Sequence, residues 1–179
     1  MIKQGTPEWH KERLGLFTSS HLSDLMVKGK NSEFGDTAMS YIYKVASERT
    51  LADEFLSGAG FEMYLERMDM TSKSIRWGND FEDMAREKLS ELLGLTVNEA
   101  EFIKVTDYFG GSSDGWFEND AQIIPIEIKC PTPGVFKQYS KIESAEQLYK
   151  VSKAYYYQCF GHMMEYNANS CLFVPLFQF

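Results

Sequence analysis

A chain of 179 residues, 44% hydrophobic and 25% charged, can bury a sizeable core without a disulfide or metal staple; its composition excludes a disordered tail, a collagen-like fibre and a coiled-coil rod. A formal net charge of −8 and a pI of about 4.9 argue against passive binding of nucleic acid through a basic surface, but not against an enzyme that meets phosphodiesters through metal ions held on carboxylates. No apolar run reaches the roughly 18 residues of a membrane span, the N-terminus has no apolar signal core, and Cys130, Cys159 and Cys171 form no CxxC pair, so the chain reads as a cytoplasmic protein with reduced thiols.

No repeat or linker divides the sequence, and residues 1–179 are read as one domain. Ser19-Ser20 before His21–Met26 predicts a short helix with a serine cap. Lys28–Gly35 reads as a polar loop. A helix is expected from Asp36 or Thr37, with Ala38, Tyr41, Ile42, Val45 and Ala46 on its apolar face. Gly58-Ala59-Gly60 interrupts the pattern, and Phe61–Met70 reads as a helix packed on the core, with a mobile arch near DNA as the alternative. Asn79 or Asp80 is expected to cap a strong amphipathic helix that runs to Leu93, with Gly94 as the residue that ends it. The period then changes to two. Strands are predicted over Thr96–Val105, Tyr108–Ser112, Gly115–Glu118 and Gln122–Lys129, with turns at Gly110-Gly111 and Asn119-Asp120. Lys153–Tyr166 predicts a helix and Ser170–Leu176 a last strand. The fold class is α/β (α+β), with a central mixed sheet flanked by helices.

The chemistry concentrates in Gly110–Gly115 and Ile123–Pro131. On a strand, Glu127 and Lys129 share one face while Ile126 and Ile128 share the other. A carboxylate and an ammonium on a strand that looks interior are costly unless paired or binding something. A hairpin return could bring Asp114 alongside. Asp114, Glu127 and a backbone carbonyl between Glu127 and Lys129 would make an all-oxygen site suited to Mg²⁺ or Mn²⁺. Such ions activate water and relieve phosphoryl charge, and Lys129 could orient the water or stabilise developing charge. Against this stands the plain reading of a turn aspartate and a cross-face ion pair. Glu82, read alone, is a first-turn glutamate favoured by the helix dipole.

Four blocks, in order, resemble the YqaJ-type phage recombinases of the lambda exonuclease kind, within the PD-(D/E)XK nuclease superfamily. They are Trp9–Ser20, Trp77–Ala85, Gly111–Gly115 with Ile126–Pro131, and Tyr156–Met163. The resemblance implies a restriction-endonuclease-like core. It also implies Asp114, Glu127 and the Ile128 carbonyl as metal ligands, Glu82 as a supporting glutamate of the metal site, Lys129 as the catalytic lysine, and Gln158 beside the site or its water. Arg13 and Ser20 are implied as the grip on a DNA 5′-phosphate, a role that suits a planar guanidinium fork and a hydroxyl at a helix start. The implied reaction is Mg²⁺-dependent, with two ions and Mn²⁺ as a substitute. It digests one strand of linear duplex DNA 5′ to 3′, leaving 3′ overhangs for recombination. The implied partners are a duplex with a 5′-phosphorylated end, a single-strand annealing protein and a homotrimeric ring, in the cytoplasm of a bacterial host that carries the phage or prophage. Ser113 stands where the superfamily has proline. Relatives of this kind continue for a further strand and helix, so the chain is expected to be a short or truncated variant.

The rival readings are another PD-(D/E)XK endonuclease and a catalytically silent DNA-binding relative. The cysteine spacing disfavours an iron–sulfur version, and the intact Asp114–Glu127–Lys129 set disfavours the silent one. His10, His21 and His162 match no zinc spacing and read as ordinary histidines. Tyr155–Tyr157 with Phe160, Met163 and Met164 reads as a packing face. Lys28, Lys30, Lys73 and Arg76 are placed in loops as solvated charge or phosphate contacts.

Overall fold

Thr6 opens the first helix. Its hydroxyl accepts from the Trp9 amide at 3.3 Å, Pro7 takes the first helical position, where no amide is needed, and α1 runs over Pro7–Arg13. The structure, a computed structural model, describes residue 4 and residues 6–51, 58–67 and 73–177, with backbone alone at 66–67 and 73–82. Gly15, at φ +70°, turns the chain into the short strand β1 (Phe17–Thr18). A 3-10 turn over Ser19–His21 and a four-residue helix, α2 (Leu22–Leu25), follow. The expected serine cap is not formed. Thr18 is the cap residue, Ser19 and Ser20 lie inside the turn, and their hydroxyls bond Glu165, Thr18 and Arg13 instead. Helix α3 (Asp36–Glu48) buries Ala38, Tyr41 and Val45, as its spacing predicts, and leaves Ala46 exposed. Helix α4 (Ala59–Arg67) starts after Gly58 and buries Phe61; Met68 and Met70 lie outside the described residues.

Helix α5 (Lys73–Leu93) begins six residues before the expected cap, so Asn79 and Asp80 are interior. Gly78 lies inside α5, and one glycine costs a helix only about 1 kcal/mol, which continuous helix can absorb. Lys73 and Arg76 are therefore helical rather than loop residues; Lys28 and Lys30 are in an exposed loop. Gly94, at φ +65°, ends α5, its amide donating to the Ser90 carbonyl at 2.9 Å.

The long strand expected over Thr96–Val105 reduces to one bridge, Asn98 to Trp116, and β2 (Ile103–Lys104). Gly110-Gly111 is not a turn but part of β3 (Phe109–Gly111). There a Cβ on Gly110 would fall 2.7 Å from the Phe102 ring, so the glycines serve close packing within the strand. Strands β4 (Gly115–Asn119) and β5 (Gln122–Lys129) form a hairpin that turns on Asp120-Ala121, one residue later than expected, with φ of 49° and 60°. Helices α6 (Pro133–Tyr139) and α7 (Ala145–Val151) lead into α8 (Lys153–Tyr166), which Asn167 ends in a left-handed conformation, and β6 (Leu172–Pro175) follows.

The expected central sheet is divided into two mixed three-stranded sheets among the described residues. In one, β3 pairs β1 in parallel and β2 antiparallel. In the other, β5 pairs β4 antiparallel and β6 in parallel. Ala85 and Leu89 of α5 pack on Phe117, Ile126 and Ile128, which puts the core on one face of β5 and leaves the other for chemistry.

Candidate active site

Alternation along β5 sends Ile126 and Ile128 into the core and Glu127 and Lys129 to the opposite face. Asp114 is fixed to this strand twice. Its amide donates to the Ile126 carbonyl at 3.0 Å, and its Oδ2 accepts from the Ile128 amide at 2.6 Å. From α5, Arg86 Nη1 donates to the Asp114 carbonyl at 3.0 Å while Nη2 pairs with Asp83. Glu127 is wholly buried. The Lys129 ammonium lies against Glu127 Oε1, 3.9 Å from Asp114 Oδ2 and 5.2 Å from the centre of the Tyr155 ring. Burial disfavours a charged lysine, but Glu127 and Asp114 outweigh it and hold Lys129 above the usual lysine range. Burial likewise opposes the Glu127 carboxylate, and Lys129 and His162 together keep its pKa low.

Behind Glu127 stands His162, 1% exposed, its Nε2 2.8 Å from Glu127 Oε2. Its Nδ1 is 3.0 Å from both oxygens of Glu165, and Ser19 Oγ donates to Glu165 Oε1. Burial works against an imidazolium, yet the two flanking carboxylates push His162 up to about 10, so both ring nitrogens donate at neutral pH. By sequence His162 reads as an ordinary surface or core histidine; it is a buried one, and that reading misses its contact with a carboxylate of the candidate site. Glu165 and Arg86 were not singled out at all. The one signal for His162 and Glu165 was their spacing from Gln158, by four and seven residues on one helix.

Of the residues expected at the site, the structure brings Asp114, Glu127 and Lys129 together. Ile128 lies between the last two, its side chain in the core. Gln158 is half-buried on α8, on the face that carries Tyr155 and His162 and so meets β5. Glu82 is on α5 one turn before Arg86; its side chain lies outside the described residues. Ser113, in the place of proline, is buried; its Oγ donates to the Gly115 carbonyl at 2.9 Å and meets the Tyr166 hydroxyl at 3.4 Å. Tyr155 stacks on Phe173, so part of the tyrosine run does pack, while also facing Lys129.

Arg13 and Ser20 meet in a second place. Arg13 Nη2 donates to Ser20 Oγ at 3.2 Å, and the guanidinium lies 3.9 Å over the Trp9 ring. Arg13 borders an open cleft of about 100 Å³, which His10, His21, Tyr41 and Lys44 also line. Burial lowers Arg13 to about 10, which leaves it cationic at neutral pH; burial and the Arg13 charge keep His10 below the usual histidine value. Glu48 also lines the cleft. It accepts from the Gly15 amide at 2.9 Å and the Tyr64 hydroxyl at 2.5 Å, and its Oε1 lies 3.8 Å from Lys44 Nζ.

Among the described residues no three His, Cys, Asp or Glu side chains gather as a ready-made metal cage. The donors at hand are two carboxylates and strand carbonyls, a hard-oxygen set suited to a small divalent cation. Glu127 Oε1 is buried without a well-angled hydrogen bond among the described residues, and the Lys129 ammonium occupies the place beside it. The site is built to receive positive charge, and its residues fit such an ion.

An Asp, a Glu and a Lys at the meeting of two strands, with one helix in the core behind and another across the front, is the arrangement of a nuclease fold. The structure is similar to that of an alkaline exonuclease from Laribacter hongkongensis, with a TM-score of 0.68 at 22% identity over 97% of this chain and 75% of the other. The same enzyme in complex with dAMP gives 0.67 at 23% identity, over 95% and 73%. A phage-related exonuclease from Haemophilus somnus 129PT gives 0.64 at 18% identity, over 90% and 68%. No curated protein sequence matches significantly. The chain belongs to the YqaJ-like viral recombinase domain family, which it matches over residues 8–166.

Proposed function

We propose that this protein is a metal-dependent deoxyribonuclease that digests linear duplex DNA as an exonuclease, starting at a 5′-phosphorylated end. The observation that carries this reading is the convergence of Asp114, Glu127 and Lys129 on one face of β5 within a family of viral recombinases. Asp114 and Glu127, with the Ile128 carbonyl, would hold the ion, with Glu82 in support. Mg²⁺, or Mn²⁺ in its place, supplies an acidified water and a Lewis acid at the phosphoryl oxygen. Lys129 offers a fixed ammonium to the attacking water or to charge developing on the phosphoryl group. Gln158, on the α8 face that carries Tyr155 and His162, would hydrogen-bond that water. Arg13 and Ser20 would grip the terminal phosphate, the guanidinium supplying a two-pronged donor. Digestion 5′ to 3′ on one strand, a 3′ overhang handed to a single-strand annealing protein, two ions and a homotrimeric ring belong to the same proposal and rest on the family.

The test uses linear duplex labelled at one 5′ end with Mg²⁺, comparing phosphorylated ends, dephosphorylated ends and a closed circle. Release of labelled mononucleotide from the phosphorylated linear duplex, lost on chelation and in Lys129→Ala, is the expected result. Cutting of the circle would replace the exonuclease with an endonuclease. Inactivity of the folded protein on every substrate with either metal would overturn the nuclease reading.

A further inference from the structure

From Glu127 of the first place toward the Arg13–Ser20 contact of the second runs a continuous buried chain of polar side chains. Glu127 Oε2 faces His162 Nε2 at 2.8 Å, His162 Nδ1 faces Glu165 at 3.0 Å, and Glu165 Oε1 accepts from Ser19 Oγ. Ser19 precedes Ser20, whose Oγ accepts from Arg13. The chain joins β5, α8 and the 3-10 turn. All four of its residues are buried, where an unsatisfied member would be costly, so each fixes its neighbour. The space for it is made by two glycines. A Cβ on Gly111 would fall 2.5 Å from Ser19 Oγ and 2.7 Å from Glu165 Cδ, and one on Gly161 would fall 2.5 Å from Ser19 Cβ. Gly161 lies on α8 directly before His162, and Gly111 ends β3. Two elements, β3 and α8, thus carry no side chain beside this hydroxyl–carboxylate contact.

The geometry leads us to propose that Ser19, Glu165 and His162 form a positioning relay that fixes the Glu127 carboxylate and ties it to the turn bearing the Arg13–Ser20 grip. His162 holds Oε2 from behind, which turns Oε1 toward Asp114 and Lys129. Glu165 anchors the far nitrogen of the ring, and Ser19 anchors Glu165. An end seated against Ser20 then bears, through one peptide unit and the side chains of Ser19, Glu165 and His162, on the carboxylate at the reaction centre. The relay rests on the proposed nuclease reading for its consequence in turnover, but its effect on Glu127 can be measured without turnover.

The experiment compares wild type, His162→Leu, His162→Gln, Glu165→Leu, Ser19→Ala and the double variant His162→Leu/Glu165→Leu, each first shown to be folded by circular dichroism. Mn²⁺ affinity is measured by titration calorimetry without DNA. Turnover is measured on duplexes with phosphorylated and hydroxyl 5′ ends. Partners of metal ligands typically change affinity or activity by roughly 10–100-fold. His162→Leu is expected to weaken Mn²⁺ binding and lower kcat by about that factor with little change in KM, and His162→Gln, whose amide can still donate to Glu127, to recover part of both. In the His162→Leu background the further loss from Glu165→Leu should nearly vanish, because the two act in series. Ser19→Ala should reduce the kcat advantage of phosphorylated over hydroxyl ends more than it raises KM. Additive losses in the double variant, or folded His162→Leu with wild-type Mn²⁺ affinity and kcat, would overturn the relay while the nuclease reading stands. An inactive wild type would overturn the nuclease reading, and the Mn²⁺ affinities would then decide the relay alone.

Discussion

Replacing Gly111 by alanine adds one methyl group to β3 and should be among the most damaging small changes available to this fold. The backbone is not the obstacle, because Gly111 has no positive φ and alanine can adopt its conformation. The obstacle is space: the new Cβ would run into Glu165 Oε1 and lie 2.5 Å from Ser19 Oγ and 2.7 Å from Glu165 Cδ, where heavy atoms prefer about 3.5 Å or more, so the carboxyl must retreat by more than about 1 Å. That retreat stretches the 3.0 Å contacts with His162 past hydrogen-bonding range and pulls Glu165 from Ser19. Overpacking costs about 1–3 kcal/mol, and a buried charge-assisted hydrogen bond about 1.5–3 kcal/mol. A loss of about 3–5 kcal/mol is therefore expected, a large part of the stability of an ordinary domain. Urea denaturation followed by far-ultraviolet circular dichroism reads the loss, and a thermal scan should show Tm lower by roughly 6–20 °C. In a Glu165→Ala background, where only the Ser19 hydroxyl remains in the way and can rotate aside, the same glycine change should cost clearly less than in wild type. A Gly111→Ala protein within about 1 kcal/mol of wild type, or an equal cost in both backgrounds, would refute the packing argument.

Three further outcomes follow from the same structure. Lys129→Ala should lower turnover on linear duplex by at least about 10²-fold, read in a single-turnover assay, since it removes the one charge positioned beside both carboxylates. Arg13→Ala should abolish any preference for 5′-phosphorylated over 5′-hydroxyl ends, measured as a ratio of kcat/KM, while a direct effect on metal binding is not expected because Arg13 touches neither Asp114 nor Glu127. Ala121→Gly should stabilise the β4–β5 hairpin by up to about 1 kcal/mol in urea denaturation, because alanine at φ 60° is strained where glycine is not, an effect partly offset by the freer unfolded chain.

Where one face of an element decides its fate, the sequence was enough. Strand β5 and helix α8 have the bounds their apolar periods predict, and the pairing of Glu127 with Lys129 follows from a period of two. Boundaries set by local chemistry were less secure. Asn79 and Asp80 have the chemistry of a cap and lie inside α5, since nothing local shows that the helix continues behind them. Gly110-Gly111 has the chemistry of a turn and forms a strand, because its reason is a ring and a carboxylate brought from elsewhere in the chain. The same division runs through the site. Asp114, Glu127 and Lys129 lie close in sequence and could be assembled by a hairpin. The contacts of His162 with Glu127 and of Ser19 with Glu165 span 35 and 146 residues, and no spacing rule reaches so far. Arg86 had no signal: its role at the Asp114 carbonyl depends on how α5 lies against β5.

The stacking of Arg13 on Trp9 has a consequence for the thermodynamics of any anion that enters the cleft. A free arginine gives up much rotational freedom when it closes on a ligand, at about 0.5–1.5 kcal/mol for such a side chain. Here the guanidinium is already held flat against the indole one helical turn away and bonded to Ser20, so that ordering happens when the protein folds. Part of the affinity for such an anion would thus reside in Trp9, a buried ring in the helix behind the guanidinium. Its loss would appear in calorimetry as a less favourable binding entropy more than as a lost contact enthalpy.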